Sequence, residues 1–585
     1  EGSPEKLLGY LVDYWLRERR KHTAEVMVRL HELGEAALDN PLTLTGLYDG
    51  TLVPPEGRKK ARMRFSFPKQ GNSYKWFDKN PGLFFLGVDG EMVGSSIATI
   101  DRAAGTVEVI WGDGPEEADV IPTTVTLNGW VSNKPKFEAL VEVAKSALAA
   151  KGHDASRAIL ARDLPRFKGG PGPGPVDGVL GGSIDEICTQ VANLDHSFLA
   201  IQGPPGTGKT WTGARIIQHL VRAGLRVGIS AFSHKAIDNL LKEVVEVFSE
   251  AGEVSQLSVA RRGGDEKYEE VTSVKCVASN AKCVDPADNV VAGTTWVFAS
   301  SDLRDNPVDV LLIDEAGQMG LADALAAAAG AKNVVLLGDP QQLPQVIKAA
   351  HPGGSKVSVL EHILGDHLTI ESTRGVFLGE TRRMHPDICA FISNNFYEGR
   401  LSSFPTCAVQ NTVQGTGLRL ITAEHDGCSS ESPVEAALVV ETIAGLIGSA
   451  WTNAEGISRP LTAADFIVVA PYNDQVNFIE HLVKSDKRVK GVAVGTVDKF
   501  QGQEAPVVLY SMTTSESGLI PRTTDFLFSQ NRLNVAISRA RGLVFLICTD
   551  ELLSSRARSV GEMKPLSTLC AFAEEADRQQ LLSNS

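Results

Sequence analysis

One stretch decides the fold of this chain: Gly203-Pro204-Pro205-Gly206-Thr207-Gly208-Lys209-Thr210. It follows the apolar run Phe198-Leu199-Ala200-Ile201 and precedes a segment with helical character from Trp211 to Ala223. The glycines let backbone N–H groups close around phosphates, Lys209 and the helix dipole supply positive potential, and the Thr210 hydroxyl binds magnesium. A plain glycine-rich turn is the alternative, but the flanking strand and helix favour a Walker A phosphate-binding loop.

A second motif supplies carboxylates. The apolar run Leu311-Leu312-Ile313 ends in Asp314 and Glu315. We expect Asp314 to reach the magnesium ion, directly or through water, and Glu315 to polarise the attacking water. Adjacent acids at the end of a strand could instead cap the next helix. Because a phosphate-binding loop lies in the same domain, the sequence favours the catalytic interpretation.

The chain alternates compact apolar runs with helix-like segments on both sides of these motifs. Such runs indicate parallel sheets covered by helices on both faces. The sequence therefore predicts an α/β protein with two tandem RecA-like P-loop domains. The further runs are Val227-Gly228-Ile229, Val310 to Ile313, Val334 to Leu337, Ile467 to Ala470, Val507 to Tyr510 and Leu543 to Ile547.

The first third of the chain has a different pattern. Residues 5–38 have helical periodicity, residues 41–135 contain short β-like runs such as Leu83 to Leu86, and helical character returns over 134–163. Residues 168–183 are rich in Gly and Pro, as in a linker. We predict stalk helices at 1–40, a β-rich module at 41–135, a stalk helix and linker at 136–183, and RecA-like domains at 184–355 and 356–585.

The net charge of the chain limits how it can bind nucleic acid. The net charge of −14 argues against a protein that coats DNA through global charge, so local basic segments must bind nucleic acid. One candidate runs from Arg58 to Phe65, with Phe67, Lys69, Lys75 and Trp76 after it. Cations interleaved with aromatics suit phosphates and base stacking, but they could equally protect an exposed strand edge.

The cysteine spacing and the apolar runs of the sequence indicate the cellular compartment. Eight cysteines without a Cys-x-x-Cys spacing argue against a zinc ribbon, an iron–sulfur cluster or a disulfide framework. No run of about twenty apolar residues and no signal-peptide pattern occurs in the sequence. We expect a cytoplasmic protein without a membrane-spanning segment.

Four further segments follow along the chain: Leu337 to Pro344, Thr381 to Pro386 with Asn395 to Gly399, Gly495 to Glu504, and Arg532 to Arg541. They resemble helicase motifs in their usual order. They are similar to motifs III, IIIa/IV, V and VI of superfamily 1B, in the branch of the Upf-type and flap-processing nuclease-helicases. The resemblance covers residues 185–550 most specifically, and the earlier part looks like the stalk and 1B barrel of that branch.

The resemblance implies roles at an ATP and Mg²⁺ site. Arg383 and Arg539 would stabilise the transition state from the second domain, and Gln342 would sense the γ-phosphate. Gly502 and Glu504 would contact the nucleotide. A structural salt bridge is the alternative for each arginine.

Two positions depart from the family pattern. Arg382 stands where relatives have an aromatic that stacks on adenine, although a guanidinium plane can stack similarly. Glu186 stands where an adenine-reading glutamine is expected, and Gln190 comes four residues later. Selectivity for ATP over GTP therefore stays open.

The resemblance also implies a single-stranded nucleic acid across both domains, with 5′ to 3′ movement and DNA favoured over RNA. Small hydroxyls and backbone N–H groups would contact phosphates without reading bases. The matching residues are Ser233, His234, Thr294, Thr295, Tyr472 and Thr496. A strand-gated ATPase clamp without unwinding and an RNA helicase remain alternatives. The bacterial relatives also suggest a RecB-like nuclease domain or subunit on the N-terminal side.

Overall fold

The computed structural model describes residues 3–32, 38, 40–57, 60–70, 82–87, 90–111, 123–169, 178–264 and 273–583. The chain separates into two compact units. The large unit comprises Glu1–Leu11, Pro135–Val346 and Gly353–Ser585, and the small unit comprises Val12–Lys134 and Ile347–Pro352. Both sheets that carry the sequence motifs lie in the large unit.

The small unit is an antiparallel sheet with one long helix. Helix α1 (Pro4–Val12) lies almost wholly in the large unit, and α2 (Tyr14–His31) belongs to the small unit. The strand order is β1-β7-β4-β5-β6-β3-β2. The strands are β1 (Thr43–Thr45), β2 (Tyr48–Val53), β3 (Arg62–Ser66), β4 (Gly82–Leu86), β5 (Met92–Asp101), β6 (Thr106–Ile110) and β7 (Thr124–Leu127).

Strand β5 joins the two halves of this sheet. Its first half, Met92 to Ser96, pairs with β4, and its second half, Ile97 to Asp101, pairs with β6. Apolar side chains from all of β1 and β3 to β7 pack into one core. Within the part of the chain that the structure describes, β1 and β2 end the strand order, so the predicted 1B-like barrel stays a prediction.

The predicted basic segment lies partly on β3. Strand β3 is flanked by β2 and β6, so it is not an edge strand. Arg62 and Arg64 both pair with the buried carboxylate of Glu108, at 2.6 and 2.5 Å. Phe65 and Phe67 are buried in the core and cannot stack on bases. The strand-edge interpretation was therefore wrong for β3, and base stacking was wrong for Phe65 and Phe67, whereas phosphate binding by Arg62 and Arg64 stays a prediction. Arg58, Lys59, Lys75 and Trp76 lie outside the described residues.

The first lobe of the large unit is built on an eight-stranded parallel sheet of order β11-β10-β12-β9-β13-β14-β8-β15. The central strands are wholly buried, which explains their uniformly apolar sequences. The strands are β8 (Phe198–Gln202), β9 (Val227–Ala231), β10 (Val259–Arg262), β11 (Val274–Val277), β12 (Val290–Ala292), β13 (Val308–Asp314), β14 (Ala331–Gly338) and β15 (Gly375–Phe377).

The helices over residues 184–192, 209–222 and 234–250 place apolar side chains in the core of this sheet, and six more helices of the described residues belong to the same lobe. In chain order all of these helices are α3 (Lys134–Ala149), α4 (Asp154–Ala161), α5 (Ile184–Ala192), α6 (Lys209–Arg222), α7 (His234–Glu250), α8 (Thr295–Phe298), α9 (Ser301–Asp305), α10 (Leu321–Ala328) and α11 (Val359–Leu364).

The second lobe is built on a five-stranded parallel sheet of order β19-β25-β24-β22-β23. Short strands β16 (Glu380–Thr381) and β17 (Ser402–Ser403) pair in parallel, and an antiparallel ribbon has the order β18-β20-β21. The remaining strands are β18 (Asn411–Thr412), β19 (Gly417–Thr422), β20 (Ala450–Thr452), β21 (Ser458–Pro460), β22 (Phe466–Val469), β23 (Ala493–Gly495), β24 (Ala505–Ser511) and β25 (Ala540–Cys548).

Two apolar clusters form the core of the second lobe, one on each face of the sheet's strands. Its helices are α12 (Pro386–Phe396), α13 (Pro433–Leu446), α14 (Asn473–Ser485), α15 (Thr524–Leu527), α16 (Gln530–Ile537), α17 (Asp550–Leu553) and α18 (Val560–Ser583). The predicted α/β class with two tandem P-loop-type domains is confirmed.

The structure differs from the sequence prediction in two details. The helical segment predicted over 5–38 is two helices, interrupted at Asp13, and the second ends at His31. Strand β15 pairs with β8 of the first lobe, although the first domain was predicted to end at residue 355. Residues 170–177 of the predicted linker lie outside the described residues.

Candidate functional site

The loop between β8 and α6 carries the predicted Walker A residues. Gly206 and Gly208 have φ of +76° and +78°, which glycine adopts without strain. A Cβ on Gly206 would also overlap Thr381 Oγ1 and Arg383 Cβ. Helix α6 begins at Lys209, so its unpaired N–H groups lie at the end of the loop.

The side chain of Lys209 is hydrogen-bonded to the backbone of the Walker A loop. Its Nζ donates hydrogen bonds to Gly203 O at 2.6 Å and to Pro204 O at 3.4 Å. Thr207 Oγ1 donates to the same Pro204 carbonyl at 2.8 Å. These bonds keep the ammonium group beside the glycine-rich backbone, where it adds positive charge to the helix N-terminus.

The two predicted carboxylates lie where β13 ends. Asp314 is buried, and its Oδ1 accepts a hydrogen bond of 2.9 Å from the backbone N–H of Glu315. Burial and the neighbouring charge of Glu315 raise the pKa of Asp314 to about 7, although that hydrogen bond and Lys209 act in the opposite direction. Glu315 has a φ of +52°, a strained conformation for a residue with a side chain.

The residues fit a magnesium ion. A hydroxyl from Thr210 and a carboxylate from Asp314 are oxygen ligands of the kind that Mg²⁺ prefers, with waters and substrate phosphates completing its shell. A nearby divalent cation would favour the ionised form of Asp314, which burial disfavours. In the described residues no cluster of three or more His, Cys, Asp and Glu side chains could hold a metal alone.

The second lobe contributes two arginines. Arg383 donates from Nε to Glu504 Oε2 at 2.6 Å and from Nη1 to Ser538 O at 3.0 Å. Arg539 is buried and donates from Nε to Val535 O at 3.0 Å. Burial, with the positive charge of Arg383 as a second cause, lowers the pKa of Arg539 to about 9. An anion in contact with both arginines would relieve this repulsion.

One cavity of about 390 Å³ brings the predicted phosphate residues of both lobes together. Predicted residues that line it are Pro205, Gly206, Thr207, Gly208, Lys209, Thr210, Glu315, Gln342, Arg382, Arg383, Gly502, Glu504 and Arg539. Gly203, Pro204 and Asp314 do not line it. The first two instead accept the hydrogen bonds from Lys209, and Asp314 is a buried acceptor for the backbone N–H of Glu315.

A second cavity of about 580 Å³ also reaches Gly206, Thr207 and Gly208. Its walls are largely apolar, and Arg382 and Glu380 are the charged side chains that line it. They are joined by Ile184, Ile187, Trp211, Phe377 and Leu378. The shape and lining suit the base and sugar of a nucleotide whose phosphates lie at the loop.

Of the two departures from the family pattern, Arg382 lines this second cavity and Glu186 does not. The guanidinium group of Arg382 lies over the ring of Phe404, with its carbon 4.0 Å from the ring centre. This cation–π contact helps to hold the guanidinium group in place. Glu186 caps helix α5 with Ser183, and Gln190 donates to Gly181 O at 3.2 Å. Neither Glu186 nor Gln190 lines the cavity.

The predicted nucleic-acid residues follow the carboxyl ends of parallel strands, which share one edge of each sheet. Ser233 and His234 follow β9, Thr294 and Thr295 follow β12, and Tyr472 and Thr496 follow β22 and β23. His234 is exposed, and Ser233, Thr294 and Thr496 are partly exposed.

The side chains of Thr295 and Tyr472 are only 3 % and 5 % exposed. The Tyr472 ring stacks on Phe526 with 5.9 Å between ring centres. The prediction named hydroxyls and backbone N–H groups as phosphate contacts, and at these two residues burial of the side chains leaves the backbone groups as the candidates. Ser233 has a second role, because its Oγ accepts a hydrogen bond of 3.2 Å from Ala236 N and caps helix α7.

Sequence reasoning missed several residues of the site. Trp211, Glu243 and Gln501 line the phosphate cavity. Trp211 directly follows the Walker A loop and Gln501 directly precedes Gly502, so their position beside predicted residues was an available signal. Glu243 lies on α7, and nothing in its local sequence marks it. In the described residues, no helix is both long and apolar enough to cross a membrane.

Comparisons with known proteins agree with this geometry. Two family models, each described as an AAA domain, match residues 185–355 and 355–551. The two matches meet between the lobes that share the phosphate cavity. The first match covers strands β8 to β14 of the first lobe, and the second covers the strands of the second lobe together with β15.

Three curated relatives illustrate the similarity. DNA replication ATP-dependent helicase/nuclease JHS1 of Arabidopsis thaliana is 24% identical, over 61% of this chain and 27% of that protein. DNA-binding protein SMUBP-2 of Rattus norvegicus is 26% identical, over 67% and 47%. Regulator of nonsense transcripts 1 homolog of Arabidopsis thaliana is 26% identical, over 69% and 35%. The chain thus spans less than half the length of each relative.

The comparisons and the two-lobed phosphate site identify the same class of protein. The relatives include two helicases of the branch that the motifs resemble. Both lobes match AAA-domain families, and the chain is similar to the Upf-like branch of superfamily 1 helicases.

Proposed function

We propose that this chain is an ATP-dependent motor that moves along single-stranded nucleic acid in the 5′ to 3′ direction, with DNA favoured over RNA. The observation that carries the proposal is the shared cavity. Lys209 lies on one side of it, and Arg383 and Arg539 reach it from the other lobe. A nucleotide bound there contacts both lobes, so the loss of its γ-phosphate changes their relative position.

The phosphates are bound by residues of the first lobe. Backbone N–H groups of the loop and the Lys209 ammonium neutralise the β- and γ-phosphates. Glu315 orients the attacking water and accepts its proton as the water oxygen bonds to the γ-phosphorus and the bridging oxygen leaves with ADP. Thr210 and Asp314 would hold Mg²⁺, which would supply positive charge to neutralise the phosphates.

The second lobe completes the site. The guanidinium groups of Arg383 and Arg539 carry a positive charge. They donate hydrogen bonds to the γ-phosphate oxygens as negative charge develops there. Glu504 pairs with Arg383 at 2.6 Å and so orients its guanidinium group, while Gly502 lets the backbone approach the nucleotide. Because these four residues belong to the second lobe, they move with it. Hydrolysis therefore responds to the distance between the lobes.

The nucleotide base occupies the second cavity, where Arg382 stacks on it. Arginine stacks on either purine through its planar face. No carboxamide side chain lines that cavity among the described residues, so discrimination between ATP and GTP depends on Arg382, Glu380 and backbone groups.

Nucleic acid binds at the carboxyl ends of the strands of both lobes. Exposed groups at Ser233, His234, Thr294 and Thr496 contact phosphates without reading bases. At Thr295 and Tyr472, where the side chains are buried, backbone N–H groups make the contact. A motor that must pass every sequence requires contacts of this kind.

The test combines ATPase and unwinding assays on matched substrates. We expect single-stranded DNA to stimulate ATP hydrolysis more than RNA of the same sequence, and duplexes with 5′ tails to unwind. Unwinding from 3′ tails alone would contradict the direction, and stronger stimulation by RNA would indicate an RNA helicase. Stimulated hydrolysis without unwinding on any substrate would support a clamp or remodelling switch instead.

A nuclease partner is the second part of the proposal. The relative JHS1 is named as a helicase/nuclease, and this chain matches only 27% of its length. We therefore propose that a nuclease domain or subunit acts with the motor from the N-terminal side. Nuclease activity that copurifies with the full natural protein, and is lost when that part is removed, supports this; its absence from the full protein contradicts it.

A further inference from the structure

A buried hydrogen-bond network connects the two lobes behind the phosphate cavity. At its centre is Asp339, which follows β14 and is only 2 % exposed. Asp339 Oδ2 accepts two hydrogen bonds: 2.8 Å from Gln342 Nε2 and 2.6 Å from the Tyr397 hydroxyl. Gln342 belongs to the first lobe and lines the cavity, whereas Tyr397 follows helix α12 of the second lobe.

The network continues to the helix that precedes Arg539. Asn534 on α16 donates from Nδ2 to the Tyr397 hydroxyl at 2.9 Å and to Gln341 O at 2.8 Å. Tyr397 and Asn534 are both 0 % exposed. Tyr397 therefore lies between the loop that carries Gln342 and the helix whose C-terminal end leads to Arg539.

This arrangement determines which end of the Gln342 carboxamide is available. An ionised carboxylate only accepts hydrogen bonds, so the amide nitrogen of Gln342 must face Asp339. The amide oxygen is then turned away from Asp339. In a residue that lines the phosphate cavity, an oxygen is suited to accept a hydrogen bond from the attacking water, beside Glu315.

We propose that Tyr397 is a positioning residue for ATP hydrolysis: its hydroxyl holds Asp339, which holds the Gln342 carboxamide with its oxygen toward the attacking water. This inference rests on the proposed function of the site. Asn534 connects the same hydroxyl to α16, so the orientation of Gln342 depends on the position of the helix that leads to Arg539. Hydrolysis is thereby made sensitive to the approach of the second lobe.

Stability alone does not explain the network. Tyr397 lies in an apolar cluster with Phe396, Ile392 and Leu533, where an apolar side chain would pack without the cost of burying polar groups. A buried hydroxyl, amide and carboxylate are retained together only if each is satisfied, and such networks specify one arrangement rather than add stability. The distinguishing property is therefore turnover, not the melting temperature.

The test uses Tyr397→Phe, which removes only the hydroxyl. We expect kcat for strand-stimulated ATP hydrolysis to fall about tenfold, because a hydrogen bond to a charged group is lost, while KM for ATP changes less than about twofold. Tyr510→Phe is the matched control, since Tyr510 is 2 % exposed in the same apolar cluster. It should leave both kcat and KM unchanged, whatever its effect on melting temperature.

A double-mutant cycle identifies the route of the effect. In a Gln342→Ala background, Tyr397→Phe should cause no further loss of kcat, because the residue it positions is absent. If Tyr397→Phe fails to fold, Asp339→Asn is a second variant that tests the positioning of Gln342. Its own amide can pair with either end of Gln342, so kcat should fall while ATP binding, measured with a fluorescent analogue, persists.

Two results would overturn the inference: an equal loss of kcat with and without Gln342, or Tyr397→Phe behaving like Tyr510→Phe. The wild-type chain is measured in the same assay. A wild-type chain without ATP turnover contradicts the proposed function and the inference together, whereas normal wild-type turnover with unchanged Tyr397→Phe contradicts the inference alone.

Discussion

The hydroxyl of Thr381 donates a hydrogen bond of 2.9 Å to the carbonyl of Pro205 in the phosphate-binding loop. The next residue, Arg382, donates from its backbone N–H to Gly206 O at 2.9 Å. The segment that presents Arg382 and Arg383 is therefore bonded to the loop backbone itself. This contact explains why Gly206 cannot carry a side chain, and it couples the loop to the approach of the second lobe.

Replacing Thr381 by valine should weaken this coupling. Thr381→Val keeps the volume but removes the donor to Pro205 and the acceptor for Arg383 N. We expect kcat to fall about threefold to tenfold, since each buried hydrogen bond contributes about 1 kcal/mol. Thr381→Ser retains the hydroxyl and should keep most of the activity. Equal activity of the valine and serine variants would show that the hydroxyl is not required.

Changes at the phosphate residues of the first lobe should separate binding from turnover. Glu315→Gln should reduce turnover by at least about a hundredfold while ATP still binds, because only the proton acceptor is lost. Lys209→Ala should abolish turnover and weaken ATP binding, since the ammonium at Gly203 O neutralises phosphate. Binding of a fluorescent ATP analogue together with phosphate release distinguishes these cases. Near-normal turnover in Glu315→Gln would exclude Glu315 as the base.

When no metal ion is bound, the buried carboxylate of Asp314 should lower the free energy of unfolding. Its pKa is raised from 3.8 in a model compound to about 7 by burial and by Glu315, so the folded chain binds the proton more tightly than the unfolded chain. Stability is therefore lost as pH rises through this window. Without Mg²⁺ at pH 8, Asp314→Asn should raise the free energy of unfolding by about 1–2 kcal/mol, with little effect at pH 4.

Thermal unfolding of both proteins with EDTA, at pH 4, 6 and 8, measures this difference. Asp314→Asn should also lose ATP turnover, so increased stability and lost activity accompany each other. A variant less stable than wild type at pH 8 would show that the Asp314 carboxylate stabilises the fold.

The sequence predicted the site in so far as its residues lie in short motifs at strand ends. Lys209, Asp314 and Thr496 each follow an apolar strand, and a parallel sheet brings such ends to one edge. Contacts between distant segments were not predictable in this way. No local pattern indicates that Phe404 supports Arg382, or that β15 returns to pair with β8.

Burial caused the other differences. The motif resemblance does not indicate whether a side chain is exposed, and tertiary packing covers the side chains of Thr295 and Tyr472. The basic run at Arg62 and Arg64 suggested a partner outside the chain, whereas the partner is Glu108, more than forty residues away on an adjacent strand. A single sequence without strand pairing cannot reveal such a carboxylate.

The Glu108 pairs lead to a prediction for the small unit. Arg64 and Arg62 hold the pKa of Glu108 below its usual range, so its contribution to stability is present above about pH 4.5 and is lost as pH falls further. Glu108→Gln should lower stability at pH 7 by about 1–3 kcal/mol, because Arg62 loses its charged partner. Thermal unfolding checks this. Unchanged melting with reduced DNA binding would instead favour a nucleic-acid role for the arginines.

The central claim is that one nucleotide is held between Lys209 of one lobe and Arg383 and Arg539 of the other. Turnover and ATP binding by Arg539→Ala test it most directly. Arg532→Ala is the control, because Arg532 lies on α16, pairs with Asp498 at 3.2 Å and does not line the cavity. We predict that Arg539→Ala lowers kcat by about 10³-fold or more with ATP binding largely retained. Turnover close to that of Arg532→Ala, in a correctly folded protein, would contradict the account.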